Sequence, residues 1–278
     1  VYMNETGKKL VFIGGDERML HAADFIRKRG FETALFALGG EPVDPDDVHS
    51  AEWAVLPVPP TRDGFLNAPM YRGKIELQTV MNEFCGKTIF APTLPGDIKG
   101  EYVDYSVRRE FLTGNARLTA QGALGCILQN VKKPLQGMKI LLLGWGNVAR
   151  ACHEVLSPLG CDITAAARRK SVISEANWAG RTAVSFEEAW GNTDGFDAVI
   201  NTVPARVLTR KRLENLRKDC YILELASAPW GADPADIEAL GMKYEIAGGL
   251  PGKAAPEAAG QIIAGTILNI ITEMGVEK

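Results

Sequence analysis

Short runs of apolar residues alternate along the chain with longer stretches in which apolar positions recur every three to four residues. The short runs are typical of buried strands, and the longer stretches are typical of helices that cover a sheet. In the first half the pattern predicts strands over residues 10–14, 33–38, 53–58 and 88–92. A helix is expected between Asp16, a suitable N-cap, and Gly30. This alternation predicts a parallel sheet with helices on its faces.

A second series of the same kind begins at residue 138. It predicts strands over residues 138–143, 161–167, 197–202, 221–225 and 243–246, and helices over 117–131, 147–159 and from Pro256 onward. Ser185 and Glu188 have the spacing of a capping box. We therefore expect an α/β protein of two doubly wound parallel-sheet domains with a cleft between them. The predicted division is a flavodoxin-like substrate domain over residues 1–120, a dinucleotide-binding domain over 121–255, and a C-terminal helix over 256–278 that returns to the first domain.

Composition narrows the class of protein. Of 278 residues, 31 are Lys or Arg and 34 are Asp or Glu, and this balance argues against nucleic-acid binding. The five cysteines form no C-x-x-C pair, which is typical of reduced thiols, and no Cys/His cluster indicates a metal site. The uncharged stretch 258–272 is shorter than the roughly 20 residues of a membrane span, and the first ten residues contain no apolar signal segment. We expect a cytoplasmic protein.

The strongest motif is Gly144-Trp145-Gly146-Asn147-Val148-Ala149, between a predicted strand and a predicted helix. It matches the Rossmann fingerprint G-x-G-x-x-A in the context that the fingerprint requires. The first glycine permits a tight turn, the second lets the backbone approach a pyrophosphate, and the alanine lets the helix pack closely on the sheet. Free amides at the helix N-terminus bind the anion. Gly144, Gly146, Asn147 and Val148 are therefore predicted to hold a dinucleotide.

The end of the next strand indicates which dinucleotide. An NAD site usually has Asp or Glu there, but here the chain continues with Arg168, Arg169 and Lys170. Because arginine binds phosphate through its planar fork and a carboxylate would repel it, this turn favours NADP. Further along the predicted crevice we expect cofactor contacts from the ends of two later strands, namely Thr202, Val203, Pro204 and Ala226.

The catalytic residues are not evident. The histidines are His21, His49 and His153, so the late histidine of hydroxy-acid dehydrogenases is missing from the expected region. The turn Gly14-Gly15-Asp16 lacks the third small residue of a nucleotide site. The polar and glycine-rich positions near predicted strand ends and turns are candidates for a small carboxylate substrate. They are Asp16, Arg18, Arg62, Asn115, Thr119, Gln121, Gly249, Pro251 and Gly252.

Several of these segments together resemble the A subunits of dipicolinate synthases. The resemblance is carried by Gly14-Gly15-Asp16-x-Arg18, by G-W-G-N-V-A, by residues 200–204 and 223–227, and by GLPGKAAPEAAGQIIAGTI from Gly249. It implies NADP-dependent oxidation of dihydrodipicolinate to dipicolinate in sporulating bacteria. It also implies a partner, which is a flavoprotein-like B subunit. We further expect a homo-oligomer.

Two positions depart from that family. Gln121 stands where the family has an acid, and Ala228 stands where it has an arginine. No proton-transfer role is therefore assigned to position 121, and carboxylate binding would fall to Arg18 or Arg62. Two alternatives remain open: a non-catalytic NADP-binding subunit that needs its partner, and a shikimate-dehydrogenase-like enzyme. The second requires an N-x-T-x-P-x-K segment that LPVPPTRDG does not supply.

Overall fold

The computed structural model describes residues 8–39, 48, 50–191, 193 and 195–276, so His49 lies outside the described residues. The described residues form two compact units. The first takes the chain up to Asn115 and again from Ala255, and the second is Ala116–Ala254. The first boundary falls inside a helix that also contains the boundary of 120/121 expected from the sequence. Within the described ranges, no helix is long and apolar enough to cross a membrane.

Strands and helices alternate over residues 139–254, whereas the earlier part of the chain also contains consecutive strands. Up to the first unit boundary they are β1 (Lys9–Ile13), α1 (Glu17–Arg27), β2 (Glu32–Phe36), β3 (Trp53–Val55), β4 (Thr61–Arg62), β5 (Phe65–Leu66), α2 (Leu77–Glu83), β6 (Thr88–Ala91), β7 (Val103–Asp104) and α3 (Arg109–Asn130). They continue with β8 (Lys139–Leu143), α4 (Asn147–Leu156), β9 (Asp162–Ala167), α5 (Lys170–Trp178), β10 (Ala183–Ser185), α6 (Phe186–Trp190), β11 (Ala198–Asn201), α7 (Arg210–Glu214), β12 (Tyr221–Glu224), α8 (Pro234–Leu240), β13 (Lys243–Ile246), α9 (Leu250–Ala254) and α10 (Pro256–Val276).

In the first unit the parallel strands are ordered β2-β1-β3-β6-β7. With the separate β4–β5 hairpin left out, this is the 2-1-3-4-5 order of flavodoxin-like sheets. Helix α1 begins at its N-cap Asp16, whose side chain accepts a hydrogen bond from the Arg18 backbone N–H. Helix α10 packs so closely on α1 that a Cβ at Gly260 would lie 2.4 Å from the Arg18 carbonyl oxygen. The C-terminal helix therefore completes the core of the first unit.

In the second unit the parallel strands are ordered β10-β9-β8-β11-β12-β13. Renumbered, this is 3-2-1-4-5-6, the order of a Rossmann sheet. The register pairs Leu143 with Ala166 and with Asn201, and Asn201 in turn with Glu224. The carboxyl ends of β8, β9, β11 and β12 therefore lie side by side at one edge. The predicted α/β fold with two doubly wound parallel sheets is confirmed.

Local chemistry explains where the observed elements differ from the predicted ones. The strand predicted over residues 53–58 ends at Val55, before a segment in which Pro57 and Pro59 have no N–H to donate. Helix α4 ends at Leu156 and a 3₁₀ turn follows, since Pro158 cannot continue the helix. The helix predicted from residue 117 begins eight residues earlier, at Arg109.

Candidate functional site

A cavity of about 490 Å³ lies along the carboxyl edge of the second sheet. Its lining comes from the end of β9, from the loops after β8, β9 and β11, and from helices α5 and α6. The lining residues are Gly144, Trp145, Gly146, Ala167, Arg168, Arg169, Val172, Phe186, Thr202, Val203 and Pro204. Among the described residues, two arginines and no carboxylate line it. A cavity of this size suits a small molecule or cofactor, and its charge suits an anion.

Gly144 makes the turn from β8 into this cavity. Its φ is +99°, and a Cβ there would lie 2.5 Å from Thr202 Oγ1 and 3.0 Å from Val203 Cγ2. The Thr202 hydroxyl also donates to the Leu143 carbonyl oxygen at 2.8 Å. The loop after β11 therefore closes directly on the β8 turn, and the fold itself requires glycine at position 144.

Gly146, the N-cap of α4, differs from Gly144 because the fold does not require glycine there. Its φ of −83° and ψ of −169° are open to any residue, and a Cβ there would meet no atom within 4 Å. Neither backbone strain nor a neighbouring atom accounts for glycine at this exposed position. A ligand that approaches the backbone does account for it, because the pyrophosphate of a dinucleotide contacts this position of the fingerprint. The turn therefore fits a dinucleotide.

The first turn of α4 begins directly after Gly146, which lines the cavity. The N–H groups at the start of a helix have no intrahelical acceptor and form an anion site. Ala149 is fully buried in the core between α4 and the sheet, so the helix lies close to β8. Asn147 and Val148 occupy this first turn, although their side chains do not line the cavity.

The basic turn after β9 carries side chains that are not neutralised. Arg168, Arg169 and Lys170 are exposed, and their side chains make no hydrogen bond or ion pair with the described part of the chain. By contrast, the nearby Arg150 pairs with Glu175 at 3.0 Å. Arg168 and Arg169 line the cavity, whereas Lys170 begins α5 outside the lining. This arrangement leaves two guanidinium groups available to an anionic ligand.

Aromatic residues complete the cavity in a way that the sequence motif did not reveal. Trp145 is 7% exposed and packs edge-on against His153, with ring centroids 5.6 Å apart. Burial and the neighbouring Arg181 lower the pKa of His153, so this histidine supports the tryptophan as a neutral ring. Phe186, at the start of α6, is a second aromatic residue in the lining. Sequence reasoning also missed Ala167 and Val172, which line the cavity because they flank the basic turn.

The remaining predicted cofactor residue is Ala226, in the loop after β12. It does not line the cavity. Its backbone N–H donates to Glu224 Oε1 at 3.0 Å, so the start of this loop is held to the end of β12. Asn201 makes the corresponding contact at the end of β11, where its Oδ1 accepts from the Val203 N–H at 3.1 Å. Both loops are thus tied to buried polar side chains at the strand ends.

In the first unit, Asp16 and Arg18 form a tight pair. The Arg18 Nε lies 2.8 Å from Asp16 Oδ1, and its Nη2 donates to Asp16 Oδ2 and to the Val58 carbonyl oxygen. Burial raises the pKa of Asp16, but the hydrogen bonds and charge of Arg18 outweigh that effect and hold it below its usual value. Arg18 is 8% exposed, and most of its donors are already used. Arg62, on the β4–β5 hairpin, is exposed.

The other substrate candidates are distributed between the two units. Asn115 lies in the first unit, whereas Thr119, Gln121, Gly249, Pro251 and Gly252 lie in the second. On α3, Thr119 is buried and Gln121 is exposed, and their spacing places them on different sides of the helix. Pro251 is buried in α9, and Gly249 has a φ of +68°. Neither unit by itself assembles these residues into one site.

The turn Gly14-Gly15-Asp16 after β1 shows no comparable space for a ligand beside the backbone. A Cβ at Gly15 would lie 2.4 Å from Met19 Cγ and 2.9 Å from Pro57 Cβ, so packing within the unit accounts for that glycine. Over the residues that the structure describes, no group of three or more His, Cys, Asp or Glu side chains could hold a metal ion.

Residues 106–243 match the family model described as "D-isomer specific 2-hydroxyacid dehydrogenase, NAD binding domain". Together with the strand order and the glycine turn, this match supports a nicotinamide dinucleotide cofactor and an oxidoreductase-type subunit. The resemblance to dipicolinate synthase A subunits extends over nearly the whole chain. The chain is 25% identical to the dipicolinate synthase A subunit of Bacillus subtilis (strain 168) over 296 aligned residues, which cover 98% of this chain and 99% of that protein.

Solved structures agree with this resemblance. The crystal structure of the dipicolinate synthase A subunit from Bacillus halodurans superposes with a TM-score of 0.84 at 23% identity, covering 95% of this chain and 98% of that one. The crystal structure of its Bacillus subtilis counterpart also gives a TM-score of 0.84, at 24% identity and covering 98% of each chain. The predicted resemblance to dipicolinate synthase A subunits is confirmed.

Proposed function

We propose that this chain is an NADP-dependent oxidoreductase subunit that oxidises dihydrodipicolinate to dipicolinate. The observation that carries the proposal is the cavity at the Rossmann edge, which is lined by a glycine that packing within the fold does not require and by two arginines without partners among the described residues. The substrate is inferred from the resemblance to the dipicolinate synthase A subunit of Bacillus subtilis, which extends along 98% of the chain.

The choice of NADP rests on charge. The 2′-phosphate of NADP would add negative charge beside the ribose, where Arg168 and Arg169 line the cavity. No Asp or Glu among the described lining residues would accept from the ribose hydroxyls of NAD or repel the extra phosphate. Lys170, exposed at the start of α5, adds a third positive charge to the same turn. We therefore expect tighter binding of NADPH than of NADH.

The reaction removes two hydrogens from the substrate ring. A ring C–H bond breaks, its electron pair leaves as hydride, and one proton is released while the ring becomes aromatic. A nicotinamide cofactor held at this sheet edge would supply the hydride acceptor. The chain's own residues would bind and orient: the α4 turn would hold the pyrophosphate. Of the two arginines considered for a substrate carboxylate, Arg62 is exposed, whereas the Arg18 guanidinium is already paired with Asp16. No residue is assigned as the proton acceptor.

The same proposal includes the setting in which the subunit works. A flavoprotein-like B subunit is expected as its partner, because the resemblance is to the A subunit of a two-part enzyme. Assembly into a homo-oligomer is expected as well. All five cysteines are free, and four of them are buried, which fits a reducing cytoplasm.

A nicotinamide absorbance assay tests the proposal. The purified chain is given dihydrodipicolinate and NADP⁺, alone and with the B subunit, and parallel reactions contain NAD⁺. We expect NADPH to form, faster than NADH forms. If the chain alone binds NADPH but forms it from NADP⁺ only when the B subunit is added, the chain is the non-catalytic cofactor-binding subunit of the alternative hypothesis. Absence of reaction with either cofactor, with and without the B subunit, would refute the proposal.

A further inference from the structure

A fully buried carboxylate lies at the carboxyl end of β12. Glu224 has no exposed surface and accepts four hydrogen bonds from neutral donors. Its Oε1 accepts from Asn201 Nδ2 at 2.7 Å and from the Ala226 N–H at 3.0 Å. Its Oε2 accepts from the Gly231 N–H at 2.7 Å and from the Tyr244 hydroxyl at 3.2 Å. The cofactor proposal does not use this residue.

These bonds tie two loops together. Asn201 also donates to the Val203 carbonyl oxygen at 3.0 Å and accepts from the Val203 N–H at 3.1 Å, so it holds the loop after β11. Glu224 holds both ends of the segment after β12, at Ala226 and at Gly231. A Cβ at Gly231 would lie 2.5 Å from Asn201 Nδ2. Glu224 therefore links the two loops through side-chain hydrogen bonds, beside the backbone bond from the Leu208 N–H to the Gly231 carbonyl oxygen at 2.8 Å.

The position of these loops relates them to one half of the cofactor. In a Rossmann sheet each half binds one mononucleotide. The basic turn after β9 marks the adenosine half, and the pyrophosphate lies at the α4 turn. The other mononucleotide then lies toward the ends of β11 and β12, which are adjacent strands. Val203, held by Asn201, already lines the cavity.

The surroundings of Glu224 suit a carboxylate that holds neighbouring loops in place. Burial raises the pKa of Glu224, and its hydrogen bonds oppose that change. Two backbone N–H groups and an amide NH₂ can only donate, so they favour the ionised form. Loss of one buried acceptor would leave several donors unsatisfied at once, which is costly.

We propose that Glu224 is a positioning residue for the nicotinamide half of the cofactor, acting through Asn201 on the loop after β11 and through backbone N–H groups on the loop after β12. This inference rests on the proposed function, since it requires a bound nicotinamide dinucleotide. It predicts a defect confined to one half of the ligand.

The test compares the whole cofactor with one half of it. Dissociation constants for NADPH and for adenosine 2′,5′-bisphosphate are measured on the full chain and on Glu224→Gln. We expect the substitution to weaken NADPH binding at least about tenfold, because an amide NH₂ would then face the donors of one loop. Binding of the adenosine fragment should change less than about twofold. Tyr244→Phe, which removes one donor and leaves both loop ties, is the matched control and should resemble the unmodified chain.

The outcomes are distinct. Equal weakening of NADPH and of the fragment would mean a general structural role and would overturn the inference, as would unchanged binding of both. If Glu224→Gln does not fold, Asn201→Ala, which cuts the tie to the β11 loop, must show the same selective loss for the inference to stand. Failure of the unmodified chain to bind NADPH would refute the proposed function instead, and the inference with it.

Discussion

Substituting Gly146 by alanine separates the demands of the ligand from those of the fold. Gly146 and Gly144 both belong to the glycine turn, but they differ in their surroundings. A Cβ at position 146 meets no atom within 4 Å, whereas a Cβ at position 144 would lie 2.5 Å from Thr202 Oγ1. Gly146→Ala should therefore impair cofactor binding without destabilising the chain, and Gly144→Ala should destabilise the second unit.

The magnitudes follow from the backbone. At φ −83° and ψ −169°, an alanine at position 146 costs no strain and reduces the freedom of the unfolded chain. Because position 146 is also the N-cap of α4, where alanine is less favourable than glycine, these effects oppose each other and the free energy of unfolding should change by less than about 1 kcal/mol. At position 144, with φ +99°, the backbone strain alone costs roughly 1–3 kcal/mol, and the contact with Thr202 adds to it. The two variants should thus differ in stability by at least about 1 kcal/mol.

Unlike stability, the binding of NADPH should be weakened by Gly146→Ala. A methyl group there occupies the space through which a pyrophosphate approaches the backbone, and we expect the affinity for NADPH to fall at least about tenfold. At a ligand concentration of about one hundred times the original dissociation constant, the unmodified chain gains about 2.7 kcal/mol of stability. Gly146→Ala, with tenfold weaker binding, gains only about 1.4 kcal/mol.

The assay is denaturant unfolding followed by circular dichroism, with and without NADPH, together with a fluorescence titration of the same proteins. The unmodified chain and Gly146→Ala should unfold alike without ligand and differently with it. If Gly146→Ala binds NADPH as tightly as the unmodified chain, the site is not where the structure indicates. If it is destabilised by more than about 1 kcal/mol without ligand, the assignment of this glycine to a ligand is wrong.

Further predictions concern charge, acid stability and thiol chemistry. Arg168→Ala combined with Arg169→Ala should weaken NADPH at least about tenfold in a calorimetric titration and leave NADH within about twofold; equal losses would contradict the choice of NADP. Burial raises the pKa of Asp197, but hydrogen bonds from the Lys133 side chain and the Lys139 N–H outweigh this and hold it below the usual value. Its contribution to stability is therefore present above about pH 4 and is lost as the pH falls. Asp197→Asn should cost about 1–3 kcal/mol at neutral pH, with the difference from the unmodified chain shrinking in acid; a pH-independent difference would contradict this. Of the five cysteines only Cys85 is exposed, so a thiol reagent should modify one site rapidly in the native protein and five after unfolding, and a second fast site would count against the structure.

The elements of the two sheets were predictable because their signals are local. The strands over residues 138–143 and 243–246 read as apolar or alternating runs, and the capping box of Ser185 and Glu188 is present as predicted. The two strands of the β4–β5 hairpin and the edge strand β7 were missed, since each strand has only two residues and shows no periodicity. The start of α3 was missed because Gly114 and Asn115, which are poor helix formers, interrupt its first turns.

The candidate site was predictable in part. Seven of the eleven predicted cofactor residues line the cavity, and they are Gly144, Gly146, Arg168, Arg169, Thr202, Val203 and Pro204. All seven lie within three residues of the end of a strand, where a motif or the strand end marks them. Phe186 and Val172 belong to helices beyond those ends, and nothing in their local sequence distinguishes them from ordinary packing residues.

The sequence by itself determined which residues could meet a dinucleotide: a strand-to-helix glycine turn, and a strand end with three cations and no carboxylate. These depend only on neighbours along the chain. Tertiary structure decided that the loop after β11 closes on Gly144, that Arg18 is already paired with Asp16, and that Glu224 joins two loops. Such contacts join residues brought together by strand order and packing. Only the folded chain shows which polar groups are occupied and which, like Arg168, are left for a ligand.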